Sequence, residues 1–158
     1  MKNKFILTVF VAAGLSAGVT FGIMNDKYQI GQFLENYLTE YTFEDKLEMR
    51  ISEEEAIELF KTGKAVMVDV RFPDEHQVLN LGFGYQIPLN ELPDNLHKLP
   101  KDKIIITGCL INERANMARM YLRANGYNAK HLINGIPGMD KTVSDVERQE
   151  LGKIYSLK

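Results

Sequence analysis

Ile104-Ile105-Ile106-Thr107-Gly108-Cys109-Leu110-Ile111-Asn112-Glu113-Arg114 is the stretch whose reading decides the fold. Three isoleucines and a threonine suit a short strand covered on both faces. Gly108 closes that run. From Arg114 onward apolar residues recur at helical spacing, as Met117, Ala118, Tyr121 and Leu122, with Gly126 as the stop. A strand passing through a short loop into a helix is the repeating unit of a parallel α/β sheet. Cys109, the only cysteine of the chain, then falls at the carboxyl end of the most apolar strand, where such sheets bind ligands.

Working outward, the same alternation recurs. Ser52 with Glu55 forms a capping box, and the helix it opens turns Ala56, Leu59 and Phe60 inward before Gly63 ends it. Ala65 to Val70 reads as a buried parallel strand, Asp74 to Asn80 as a short helix, and Tyr85 to Leu89 as a short strand. A further short helix is expected over Asp94 to Lys98, broken by Pro100. Ala129 to Ile133 gives the closing strand, and Lys141 to Leu151 a final helix.

The chain ahead of this body has a different character. Lys2 and Lys4 are its only charges before Asp26, and Phe5 to Met24 carry none. An uncharged run of that length matches a signal peptide or a transmembrane anchor, with the rest of the chain on the outer, periplasmic side of a bacterial-type membrane. Anchoring is preferred to cleavage because the run is long for a signal; after cleavage the body would be free in the periplasm. Ile30, Phe33, Leu34, Tyr37, Leu38 and Tyr41 follow at helical spacing and suggest a helix packed on the domain or on a second copy, so a homodimer is an expectation. Thr42 to Arg50 is charged without a clear period. The expected organisation is thus a signal or anchor over 1–24, a helical linker over 25–48 and one domain over 49–158.

Composition excludes several classes. A net charge of −2 gives no basic footprint for nucleic acid. There is no HExxH, paired CxxC or GxxxxGK[ST], so no metal, cofactor or nucleotide loop is expected. His76, His97 and His131 show no ligand spacing, and one cysteine cannot form an internal disulfide. What remains is the thiol itself.

A thiol reacts as its thiolate, so its surroundings must favour negative charge. Backbone amides of Leu110, Ile111, Asn112 and Glu113, with the first turn of the following helix, can supply that, and Arg114 adds a positive charge within reach. A thiolate so placed can take a sulfur atom, hold it as a persulfide and pass it on. Cys109 as a buried structural residue is the alternative, and Arg114 reads equally as an ordinary first-turn salt-bridge partner. Glu113 reads as helix N-terminal charge.

The order of several motifs resembles the rhodanese family. Ala65-Val66-Met67-Val68-Asp69-Val70-Arg71 with Pro73 and Glu75 is similar to the family's opening strand and turn. Ile87-Pro88-Leu89-Asn90-Glu91-Leu92-Pro93, Leu96, Leu99-Pro100 and Lys103 resemble its middle. The six-residue loop from Cys109 to Arg114 resembles its persulfide loop, and Gly126-Tyr127 with Leu132 to Met139 resembles its close. The resemblance, over roughly Arg50 to Leu151, implies one α/β rhodanese-like domain with a mostly parallel central sheet flanked by helices, here preceded by the apolar N-terminal helix. It implies a sulfurtransferase or sulfur carrier with Cys109 as the sulfur-bearing residue, Arg114 beside it, an anion cradle over residues 110–114, and Asp69 and Arg71 ordering nearby loops.

The loop departs from the family where Leu110, Ile111 and Asn112 replace a basic residue and a glycine, and where Glu113 adds negative charge. Leu79 to Gly84 keeps the spacing, though not the residues, of a Gly-His-Ile-Pro-Gly-Ala turn. A polysulfide or a protein persulfide is therefore expected as donor ahead of a small sulfur-containing anion such as thiosulfate, with a thiol as acceptor. Two other classes are open: a non-catalytic binding or scaffolding module, and a thiol phosphatase. Phosphatase relatives have one more loop residue than the four between Cys109 and Arg114.

Overall fold

The computed structural model describes residue 29 and residues 31–156, which divide at Thr42 into two compact units, each described by itself. In the first, residues 31–39 form helix α1, on which Phe33 and Tyr37 stack at 6.4 Å between ring centres and Tyr41 lies 5.9 Å beyond. The uncharged run over residues 5–24 lies outside the described residues. Among those described, no helix is long and apolar enough to cross a membrane.

The second unit is the α/β body. Helix α2 (Phe43–Glu48) and strand β1 (Arg50–Ile51) come first, both within a stretch that shows no periodicity in the sequence. They are followed by α3 (Glu53–Lys61), β2 (Ala65–Asp69), α4 (Pro73–Val78), β3 (Tyr85–Gln86), α5 (Leu92–Asn95), β4 (Ile104–Gly108), α6 (Glu113–Ala124), β5 (Ala129–Leu132), α7 (Gly135–Thr142) and α8 (Asp145–Ser156). The five strands form one parallel sheet in the order β1-β5-β4-β2-β3.

Local chemistry explains the element ends. Ser52 Oγ accepts the Glu55 amide at 3.2 Å, the N-cap half of the expected capping box, and Gly63 leaves α3 at φ 68°, as the glycine stop predicts. Alternate strand residues enter opposite layers. Ala65, Met67 and Ile106 pack beneath α3 and α7, while Val66, Val68 and Ile105 pack against α6. Glu53, at the start of α3, is buried and takes the backbone and side-chain amides of Asn134 at 2.8 and 3.0 Å, tying α3 to the turn before α7.

Several expectations are corrected. Tyr85 to Leu89 shortens to a two-residue strand, so the Met67 amide lies beyond its reach and donates instead to Tyr155 Oη at 2.7 Å. Burial raises the Tyr155 hydroxyl above its ordinary pKa. The expected helix over Asp94 to Lys98 is a chain of short turns, with 3-10 turns at Leu89–Glu91 and Leu96–Lys98 flanking α5. The single helix expected over Lys141 to Leu151 is two helices. They part at Ser144, whose amide donates to the Glu147 carboxylate at 3.0 Å and whose Oγ accepts the Glu147 amide at 3.3 Å, a capping box within the segment. Met117, expected on the inner face of α6, is exposed; Ala115, Ala118, Arg119 and Leu122 face inward.

Candidate active site

The sheet order places Cys109. The chain leaves β2 toward β3 on one side, then crosses back so that β4 leads to β5 on the other. β2 and β4 are neighbours, with Asp69 beside Gly108. Connections that diverge from adjacent strands open a crevice at the strands' carboxyl ends. Cys109 is the first residue beyond β4, and Arg71 and α4 lie beyond β2.

Cys109 is 1% exposed, and its Sγ accepts the Ala115 amide at 3.4 Å. Thr107 Oγ1 fixes the start of α6 by donating to the Ala115 carbonyl at 2.8 Å. The sulfur thus faces an amide in the first turn of a twelve-residue helix, where backbone dipoles favour negative charge. The amide that reaches the sulfur belongs to the first turn of the helix, one residue past the 110–114 cradle that the family resemblance implies.

The loop turns on Asn112, the one residue other than glycine with positive φ (70°) among the described residues. Asparagine tolerates this left-handed conformation better than most side chains. Its Nδ2 donates to the Ile133 carbonyl at 2.7 Å, which pins the loop to the end of β5. The Glu113 amide donates to the Ile111 carbonyl at 2.9 Å, so it is engaged within the loop. Leu110 and Ile111 are exposed, at 42% and 70%. Glu113 is also exposed. On the far side, Gly135 passes against the Cys109 and Leu110 carbonyls at φ 62°, and the Ile136 amide donates to the Cys109 carbonyl at 2.8 Å.

Arg114 does not stand free. Its Nη1 and Nη2 donate to the two carboxyl oxygens of Glu75 at 2.6 and 2.7 Å, and its guanidinium lies 5.4 Å from the centre of the Phe72 ring. Arg114, helped by the Phe72 amide, holds the Glu75 carboxyl down at about 2 against the opposing effect of burial. Glu75 in turn raises Arg114, and the charges of a Cys109 thiolate and of Asp69 act the same way, so both lie within Coulomb reach of the guanidinium.

Asp69 and Arg71 form a fully buried pair. Arg71 Nε meets both Asp69 oxygens at 3.0 and 3.1 Å and Nη2 meets Oδ2 at 2.7 Å. The same guanidinium donates to the carbonyls of Glu75 and Leu79 at 3.3 and 2.7 Å, tying the middle of α4 and the residue that follows it to β2. His76 Nδ1 lies 3.5 Å from the Asp69 carboxylate. The structure therefore links Asp69 and Arg71 to Cys109 indirectly, through α4, Glu75 and Arg114. Glu75 as the clamp on Arg114 has no local signal in the sequence beyond its place in the motif with Pro73, because its partner lies 39 positions away. No group of three or more potential metal-ligating side chains occurs among the described residues.

Comparison with known proteins gives this geometry a context. An uncharacterized protein of Bacillus subtilis (strain 168), YqhL, is 29% identical over 136 residues, spanning 82% of this chain and 89% of its own. The crystal structure of a rhodanese-like domain protein from Staphylococcus aureus is 28% identical and superposes with a TM-score of 0.50, covering 57% of this chain and 89% of that one. Reduced CoADR-RHD of Bacillus anthracis is 27% identical with a TM-score of 0.52, covering 68% of this chain and 18% of that much longer one. A rhodanese-related protein of Thermoplasma volcanium, 23% identical at a TM-score of 0.51, covers 60% of this chain and 94% of its own and shares the fold. Residues 52–142, more than half of the chain, match the family model described as a rhodanese-like domain, and the chain belongs to that family.

Proposed function

We propose that this protein is a sulfurtransferase or sulfur carrier that forms a persulfide on Cys109. The observation that carries the reading is the seat of Sγ, just past the carboxyl end of β4 where β2 lies alongside, 3.4 Å from the Ala115 amide in the first turn of α6. The Cys109 thiolate attacks the outer sulfur of a sulfane donor. A new S–S bond forms, the donor's S–S bond breaks, and the leaving thiolate or sulfite takes the electron pair. An acceptor thiolate then attacks the outer sulfur of the persulfide, and the Cys109 thiolate is released. The Ala115 N–H supports the charge on sulfur in both states. Asp69 and Arg71 hold α4, and through it Arg114, in place.

The test is the intact mass of the protein after exposure to polysulfide and, separately, to thiosulfate, with Cys109→Ser beside it. A gain of one sulfur atom that cyanide removes and the variant lacks is expected. No gain from these donors or from an organic persulfide, in folded protein whose thiol can be alkylated, would sink the reading.

A second reading, a non-catalytic docking module of a membrane-associated complex, draws on the burial of Cys109 and the pairing of Arg114 with Glu75. It gains if Cys109→Ser retains the cellular role. Placement on the outer face of a membrane, through residues 5–24, is part of the proposal and rests on Lys2, Lys4 and the uncharged run that follows. Fractionation of the tagged full-length chain tests it.

A further inference from the structure

Rhodanese-type chemistry on an inorganic donor brings charge to the thiolate. Thiosulfate is a dianion, and its reaction with a thiolate gathers three negative charges at one place. A protonated organic persulfide, R–S–SH, brings none. Which donor a loop accepts therefore depends on the positive charge it has free.

This loop has none to offer. Arg114, the one basic residue between Cys109 and Ala115, has both terminal nitrogens on Glu75. The pair is about three-quarters buried on each side, so an incoming anion would have to compete with a preformed bidentate contact. The remaining charged side chain of the loop is the exposed Glu113, which repels anions. The rim is apolar. Leu110 and Ile111 stand beside Cys109, exposed Phe72 lies under the Arg114 guanidinium, and half-exposed Ile133 adjoins Asn112 on the other side. Leu110 and Ile111, exposed large apolar side chains that follow the buried thiol in the chain, offer a surface that an apolar group would cover.

We propose that Glu75, by holding Arg114, sets this site for a sulfur donor carrying an apolar organic group and little charge, R–S–SH, in place of an inorganic dianion. The inference rests on the sulfur-carrier reading and names its substrate class. Cys109–S⁻ and R–S–SH give Cys109–S–SH and R–S⁻: one S–S bond breaks, one forms, and the electron pair leaves on the donor's inner sulfur. The apolar group lies on Leu110 and Ile111. Glu75 is a positioning residue, acting through Arg114.

Two measurements on the full chain separate this inference from the reading beneath it. The first is alkylation of Cys109 by iodoacetate, iodoacetamide and benzyl bromide, each rate divided by that of a small free thiol; it needs no sulfur transfer. The second is the rate of sulfur gain from thiosulfate, glutathione persulfide and benzyl persulfide. The expected order is apolar over neutral over anionic in the first, and benzyl persulfide over glutathione persulfide over thiosulfate in the second. Glu75→Gln, which releases Arg114, is expected to raise the ratio of thiosulfate to benzyl persulfide rates roughly tenfold, and iodoacetate relative to benzyl bromide likewise. Because Glu75 also caps α4, Ile111→Asp serves as an independent variant in an exposed position; it should slow benzyl persulfide by several-fold more than glutathione persulfide. Preference for iodoacetate and thiosulfate in the unaltered protein would overturn the inference and leave Cys109 a sulfur carrier. Alkylation without sulfur gain from any donor would overturn both.

Discussion

At the scale of single residues, the site rests on groups that serve other groups. Arg71 has no exposure and touches no candidate reactant, yet it joins Asp69 to the Glu75 carbonyl in α4 and the Leu79 carbonyl just beyond it. Removing it would leave the Asp69 carboxylate buried without its partner. Arg71→Met is therefore expected to cost about 3–5 kcal/mol, read from urea denaturation, and to loosen the hold of Glu75 on Arg114. His131, buried in β5, is held down at about 4 by its burial and by the nearby Arg119 and Arg50. In the unfolded chain a histidine titrates near 6.5, so the unfolded state takes up the proton first. Stability is then full above about pH 6.5 and falls as pH drops toward 4, by roughly 3 kcal/mol in all. The denaturation midpoint at pH 7 and pH 4.5 checks this, and His131→Gln should flatten the difference. Glu75 contributes in a lower window, its stabilisation being lost as pH falls from about 4.5 toward 2.

At the scale of elements, the Cys109 loop is shaped by its neighbours as much as by its own residues. Gly135 begins α7 where a Cβ would meet the Cys109 and Leu110 carbonyls, in a backbone conformation that L side chains avoid. Gly135→Ala should cost roughly 1–3 kcal/mol and shift the loop, seen as a lower urea midpoint together with a changed rate of Cys109 alkylation. Helix α3 was readable in outline because its cap, its inward residues and its glycine stop are all local signals. The join between α7 and α8 was just as local, since Ser144 and Glu147 spell a capping box, but an apolar spacing that ran across it concealed the break. Met117 was misplaced for a related reason. Helical period identifies a face without saying how wide the buried stripe is, and α6 meets the sheet with alanines and with Arg119.

At the scale of the whole molecule, Phe43–Lys158 is a compact unit with its own two-layered core around the sheet. A fragment of residues 43–158 is expected to fold alone and to unfold in one cooperative transition in urea; a broad, non-cooperative loss of helical signal would contradict this. The parallel α/β order and the seat of Cys109 at a strand end were set by the sequence alone, because strand and helix periods and turn residues act over a few neighbours. The resemblance added the family on the order and spacing of its motifs. Only the tertiary structure decided what surrounds the sulfur. Arg114 finds Glu75 across 39 positions of sequence, Asn112 finds Ile133 across 21, and Glu53 finds Asn134 across 81. A charged side chain pairs with whatever the packing of separate elements brings within hydrogen-bond reach, and that proximity is written in no local stretch of the chain.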